Sequence, residues 1–166
     1  MRADFRSTRL RLTAFRHTSP GRHPLSGSGA QQFGGRWNLQ GGSAAIYLAD
    51  SLQTCIAEFR RTAAGQGRGT PTLLPRELHH ISLDGVHVVD FAAPGALETA
   101  GLRPSDIAAA DWIKCQQAGE AVASAGLPGL RAPSATGVGH VIVLFEANIP
   151  KDCVHVIKTE KLASYL

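Results

Sequence analysis

From Arg9 to Arg16 the chain reads RLRLTAFR, with arginines and apolar residues trading places. That two-residue alternation predicts a half-buried strand ending near Arg16. Ser19 to Gly42 then breaks all periodicity with Gly, Ser and Pro, and is expected to form a long loop. Loops of that length in small domains are usually functional or mobile. Ala44 to Ala49 is a short apolar run of buried-strand type. Leu52, Cys55, Ile56 and Phe59 follow at i, i+3, i+4 and i+7, the apolar face of a helix that Asp50 or Ser51 can cap. Glu58 falls on the shoulder of that face.

Thr62 to Pro75 carries three glycines and two prolines and reads as a surface excursion. His79–Leu83 and Val86–Phe91 are expected as two short strands joined by a turn at Asp84-Gly85. The stretch 94–104 is irregular, with room for a short helix. Asp111 to Ala125 predicts a second helix, ended by Gly126 and Pro128. Leu130 to Ala135 is a short segment with a loop after it, Gly139 to Ala147 a strongly apolar strand, and Cys153 to Lys158 a last alternating strand. Six or seven strands and two sizeable helices, without internal repeat, place the chain in the α+β class: a mixed or antiparallel β core with flanking helices. A length of 166 residues fits one domain, 1–166.

Composition narrows the functional classes. With 43% apolar and 18% charged residues the chain is globular in type, and no apolar run approaches a membrane span. The Arg-rich start lacks the apolar core of a secretory signal. Three distant cysteines, Cys55, Cys115 and Cys153, offer neither a CxxC pair nor a disulfide framework, as expected of a protein kept in a reducing cytoplasm. The seven histidines show no metal-ligand spacing, and adjacent His79 and His80 in a strand point to opposite faces, so no metal is expected.

Charge is concentrated. Residues 1–38 hold seven arginines against the single acid Asp4, whereas the remainder is slightly acidic. Arginine without lysine favours forked recognition of phosphate groups. Arg16 at a strand end and Arg36 beside Gly34-Gly35 are candidates to converge on a diphosphate, or else two solvated surface arginines. Glycines at 34 and 35 would permit close backbone approach. Tyr47 projects opposite to Ile46 and Leu48, as a core aromatic or a platform for a planar ring. Glu58 is an ordinary solvated charge or a carboxylate placed to stabilise a developing oxocarbenium ion. Ser134 is a loop serine that could cap or bind phosphate; no nucleophile-elbow motif surrounds it.

Those residues carry a likeness. The segments Phe15-Arg16, GAQQFGGRWN (29–38), AIYLADS (45–51), AEFRR (57–61), DWIKCQQAGEAV (111–122) and GLRAPSA (129–135) together resemble the RES domain, found in toxins of bacterial RES–Xre toxin–antitoxin systems. Where many members place an asparagine after the serine, this chain has Gly137-Val138-Gly139-His140. The resemblance implies an ADP-ribosyltransferase-like fold. It also implies NAD+ as a substrate rather than a cofactor, with phosphate as a possible co-substrate. Arg16 and Arg36 would hold the pyrophosphate, Tyr47 would stack on the nicotinamide side, Glu58 would stabilise the ribosyl cation, and Ser134 would line the pocket. The implied partner is an Xre-like antitoxin that blocks the pocket and is itself the DNA-binding member.

The expected function is therefore a cytoplasmic toxin that cleaves the nicotinamide–ribose bond by phosphorolysis or hydrolysis, with Glu58 and Arg36 catalytic. One alternative is a protein mono-ADP-ribosyltransferase on the same fold. Another is a non-enzymatic nucleic-acid-binding module using the N-terminal arginines, against which stand a 6% aromatic content and no RNP or helix-turn-helix pattern.

Overall fold

A computed structural model describes residues 5–65 and 73–166. Half of the excursion expected between Thr62 and Pro75, residues 66–72, lies outside them, as do Arg2 and Asp4. Its first four residues, expected as surface loop, instead close a helix that runs to Gly65. Among the described residues six strands form one sheet: β1 Ser7–Thr18, β2 Ala45–Ala49, β3 Glu77–Asp90, β4 Gly129–Pro133, β5 His140–Phe145 and β6 Val154–Lys161. Three helices of six residues or more accompany them among the described residues: α1 Ser28–Phe33, α2 Leu52–Gly65 and α3 Ile113–Ser124. One-turn helical pieces at Ala96–Thr99 and Pro104–Ile107 lead into α3.

The sheet curls back on itself. β1 pairs antiparallel with β3 along its whole length, β3 meets β4 in parallel, β4 pairs with β5, and β5 with β2. The circuit then returns to β1 through one pair of residues, Phe15 with Ala49. The result is a barrel-like mixed sheet, with β6 attached outside to the first half of β3. Register explains the sorting of side chains. Ile46 opposite Leu144 and Leu48 opposite Ile142 point into one cluster with Leu10, Ile81, Leu83 and Val88. Their neighbours Ala45, Val143 and Phe145 face the other way, into a cluster with Trp37, Phe91, Leu130 and Val122 that seats α3. A third cluster, Cys55, Phe59, Leu78 and Leu162, fixes α2. Deviation from the two-residue period would turn these strands inside out.

Two expectations are corrected. Residues 79–91 are not a hairpin, because β3 is continuous. Gly85 sits at φ +78° as a bulge, skipped between the pairs Leu10–Val86 and Arg11–Asp84. The twelve-residue β1 is long enough to pair with both halves, and Arg11 forms an ion pair with Asp84 beside the bulge. The loop from Ser19 to Gly42 contains α1, a helix of six residues without a buried side chain, ended by Gly34 at φ +76°. So short a helix leaves no apolar period to read. Among the described residues no helix is long and apolar enough to cross a membrane.

Candidate active site

β1 and β2 diverge from their single shared pair, and a cleft of about 990 Å³ opens beside that seam. Phe15, Arg16 and His17 line it from β1, Tyr47 and Leu48 from β2, Glu58 and Arg61 from α2. The block Gly34-Gly35-Arg36 and Trp112 also line it. Arg16, Arg36, Tyr47 and Glu58 thus share one wall. Ser134 is not on that wall. It lies buried behind Glu58 and donates its hydroxyl to Glu58 Oε1 at 2.5 Å.

Because the single Ser134 proton goes to Glu58, the Thr136 hydroxyl, 2.7 Å away, donates to Ser134, and the Thr136 backbone N–H does so at 3.2 Å. The loop that carries both is clamped at its far end. Asp50 accepts the His140 backbone N–H at 3.1 Å, meets the His140 ring at 3.0 Å, and receives the Thr54 hydroxyl at 3.2 Å. Thr136 and His140 belong to the stretch after Ser134 where the expected asparagine is missing. Asp50 also tethers this loop to the start of α2, the helix of Glu58.

Both arginines are anchored on backbone. Arg16 reaches the carbonyls of Pro24 at 2.6 Å and Ser26 at 3.0 Å. Burial, then the charges of Arg22 and Arg76, pull it down to about 10, still cationic at neutral pH. Arg36 holds the carbonyls of Ala109 at 2.9 Å and Asp106 at 3.3 Å, and its guanidinium lies 5.5 Å from the Trp112 ring centre. Each guanidinium has five N–H groups, so donors remain for a ligand.

Gly34 and Gly35 both line the cleft, and Gly35 also serves the scaffold. Gly35 and Asn38 close a tight turn, in which a Cβ on Gly35 would stand 2.5 Å from the Tyr47 hydroxyl. That hydroxyl accepts from the Trp37 N–H at 2.9 Å and donates to Asn38 Oδ1 at 2.7 Å. Burial pushes Tyr47 well above its ordinary range. So its polar end belongs to the scaffold, and the ring offers its side to the cleft. Trp37 points away, stacked on Phe91 at 5.5 Å in the core.

The RES domain family profile matches residues 9–163. The chain belongs to the RES domain family. Relatives of this RES domain include the NAD(+) phosphorylase MbcT of Mycobacterium tuberculosis and that of Mycobacterium bovis. Each is 40% identical over 136 residues, spanning 81% of this chain and 73% of the relative. The crystal structure of the M. tuberculosis MbcT–MbcA toxin–antitoxin complex matches with a TM-score of 0.89 at 32% identity, covering 96% of this chain and 89% of that one.

Sequence reasoning passed over the supports of this RES domain. On α3, Glu120 accepts from the backbone of Leu39 at 3.0 Å and of Ser43 at 3.1 Å, and from the Ser43 hydroxyl at 2.8 Å. Gln116 donates to the carbonyls of Gly35 and Asn38. Gly119 lets α3 approach so closely that a Cβ there would collide with the Trp37 carbonyl. The spacing Gln116, Gly119, Glu120 on one helical face was the available signal. His17 was also passed over. Its Nδ1 accepts from Arg76 at 2.9–3.1 Å, and burial, reinforced by Arg76 and Arg16, drops it to about 3, leaving a neutral ring on the cleft wall.

Proposed function

We propose that this RES domain is the toxin of a toxin–antitoxin pair and consumes NAD+ as a phosphorylase, cleaving the bond between nicotinamide and ribose. The observation that carries the reading is the Glu58 carboxylate, held by Ser134 at 2.5 Å on the wall of a cleft shared with Arg16 and Arg36. The likeness to MbcT supplies the substrate. In this reading the chain is one ADP-ribosyltransferase-like catalytic domain, 1–166.

Arg16 and Arg36 hold the pyrophosphate through the donors not used on backbone carbonyls, and the Tyr47 ring stacks on the nicotinamide side. Glu58 faces the anomeric carbon and stabilises positive charge as it develops there. Nicotinamide is bound through a cationic nitrogen and leaves neutral, so no acid group is needed. Ser134 orients Glu58 rather than touching substrate. The protein works in the cytoplasm, and its partner is an Xre-like antitoxin that covers the cleft and alone contacts DNA.

Incubating antitoxin-free protein with NAD+, with and without inorganic phosphate, and weighing the products by mass spectrometry tests this. Nicotinamide together with a phosphorylated ADP-ribose is expected. Absence of nicotinamide release, or faster labelling of a cellular protein than of phosphate, overturns it.

A further inference from the structure

We propose that Arg61 holds the attacking phosphate and so selects the acceptor, an inference that rests on the NAD+-cleaving reading above. Arg61 follows Glu58 by three residues on α2, so the two side chains issue from neighbouring positions of one helix surface. Both line the cleft. Among the described residues no ion pair closes between them. Arg61 makes one contact there, a 3.3 Å hydrogen bond from Nη1 to the Ala135 carbonyl. Ala135 is the neighbour of Ser134, which holds Glu58. The guanidinium is thus stationed at the end of the cleft where the reacting carbon must lie if Glu58 faces it.

The other cationic side chains of the cleft are differently employed. Arg16 and Arg36 are each fixed by two backbone carbonyls, an arrangement suited to a ligand group of constant position such as a pyrophosphate. Arg60, beside Arg61, does not line the cleft. Arg61 is exposed and lightly held, suited to a small anion that enters from solvent and leaves as part of the product. Glu58 would repel a fully ionised phosphate, but its Oε2, without a partner among the described residues, can accept a P–OH hydrogen bond. Arg36 is held below its ordinary range chiefly by burial, with the Arg61 charge adding to the shift and Glu58 opposing it.

The step balances without any further reagent. A phosphate oxygen forms a bond to the anomeric carbon as the bond from that carbon to the nicotinamide nitrogen breaks. The electron pair stays on that nitrogen and neutralises the pyridinium ring. The products are neutral nicotinamide and ADP-ribose bearing phosphate at the anomeric carbon, whose remaining P–OH proton equilibrates with water.

The test compares the wild type with Arg61→Gln and Arg61→Lys in NAD+ turnover at varied phosphate, with products separated by mass. The expected result is a KM for phosphate raised about tenfold or more in Arg61→Gln. A smaller rise is expected in Arg61→Lys, with the product ratio moved toward free ADP-ribose and the KM for NAD+ shifted far less. An unchanged KM for phosphate, or equal rises in both KM values, overturns the proposal. Calorimetric titration of inorganic phosphate into NAD+-free protein needs no turnover. Affinity about fivefold weaker or worse in Arg61→Gln supports the proposal, and unchanged affinity overturns it. If no protein releases nicotinamide while the calorimetric difference persists, the catalytic reading fails and the phosphate subsite stands.

Discussion

Ser134 and Glu58 are 76 residues apart in sequence, yet the serine hydroxyl lies 2.5 Å from the carboxylate it orients. The contact joins the loop after β4 to the middle of α2. Ser134→Ala removes it without touching the cleft wall. The expected outcome is a fall in kcat of about tenfold to a hundredfold, the worth of one hydrogen bond to a charged group, with a smaller change in the KM for NAD+. Glu58→Gln keeps the shape and removes the charge, and is expected to cost a hundredfold or more. Rates of nicotinamide release check both.

Gly35 and Tyr47 form a second dependent pair. Gly35→Ala drives a methyl group into the Tyr47 hydroxyl and is expected to destabilise the protein by about 1–3 kcal/mol. Tyr47→Phe loses the bonds to Trp37 and Asn38, about 1–2 kcal/mol. The double variant relieves the contact with the hydroxyl but leaves 2.8 Å approaches to Asn38 Oδ1 and to the ring, so it should be only modestly more stable than the sum of the two losses predicts. Denaturant midpoints of the four proteins close the cycle.

His17 makes stability depend on acid. Its pKa is near 6.5 unfolded and about 3 folded. Between those values the unfolded chain binds a proton that the folded protein refuses, so stability falls as pH drops from 6.5 toward 3. The slope from this group is at most about 1.4 kcal/mol per pH unit. His79, also depressed chiefly by burial, acts in the same direction. His17→Gln keeps an acceptor for Arg76 and no longer titrates, so its stability should decline less steeply across that range at constant salt.

The cysteines should differ in reactivity. Burial pushes Cys55 up to about 12 and raises Cys115, whereas Cys153 is half-buried. Iodoacetamide at pH 8 should modify Cys153 first in the folded protein, and all three after denaturation. Peptide mass mapping before and after unfolding reads this out.

The strands and α2 were legible because their period is local: Ile46, Leu48 and Phe59 sit where alternation and helical spacing place them. Gly85 misled because a glycine after aspartate signals a turn and a bulge alike, and the choice belongs to the partner strand β1. The cleft residues Arg16, Arg36, Tyr47 and Glu58 were legible as chemistry, not as roles. That Tyr47 commits its hydroxyl to the turn, and that Gly35 leaves room for it, depends on contacts between residues nine to twelve apart. Gln116 and Glu120 share one helical face with Gly119, but their partners are mainly backbone atoms of the 35–43 loop, so the spacing marks a face without naming what it holds.

The lone Phe15–Ala49 pair gives the seam between β1 and β2 a further meaning. Backbone groups on either side of it forgo partners that a fully zipped barrel would supply, so part of the fold's possible stability is surrendered to keep a gap. Thermostabilising selection on this chain would favour changes that lengthen that ladder, and each added rung would narrow the entrance. Robustness and turnover are expected to trade against each other at this one edge.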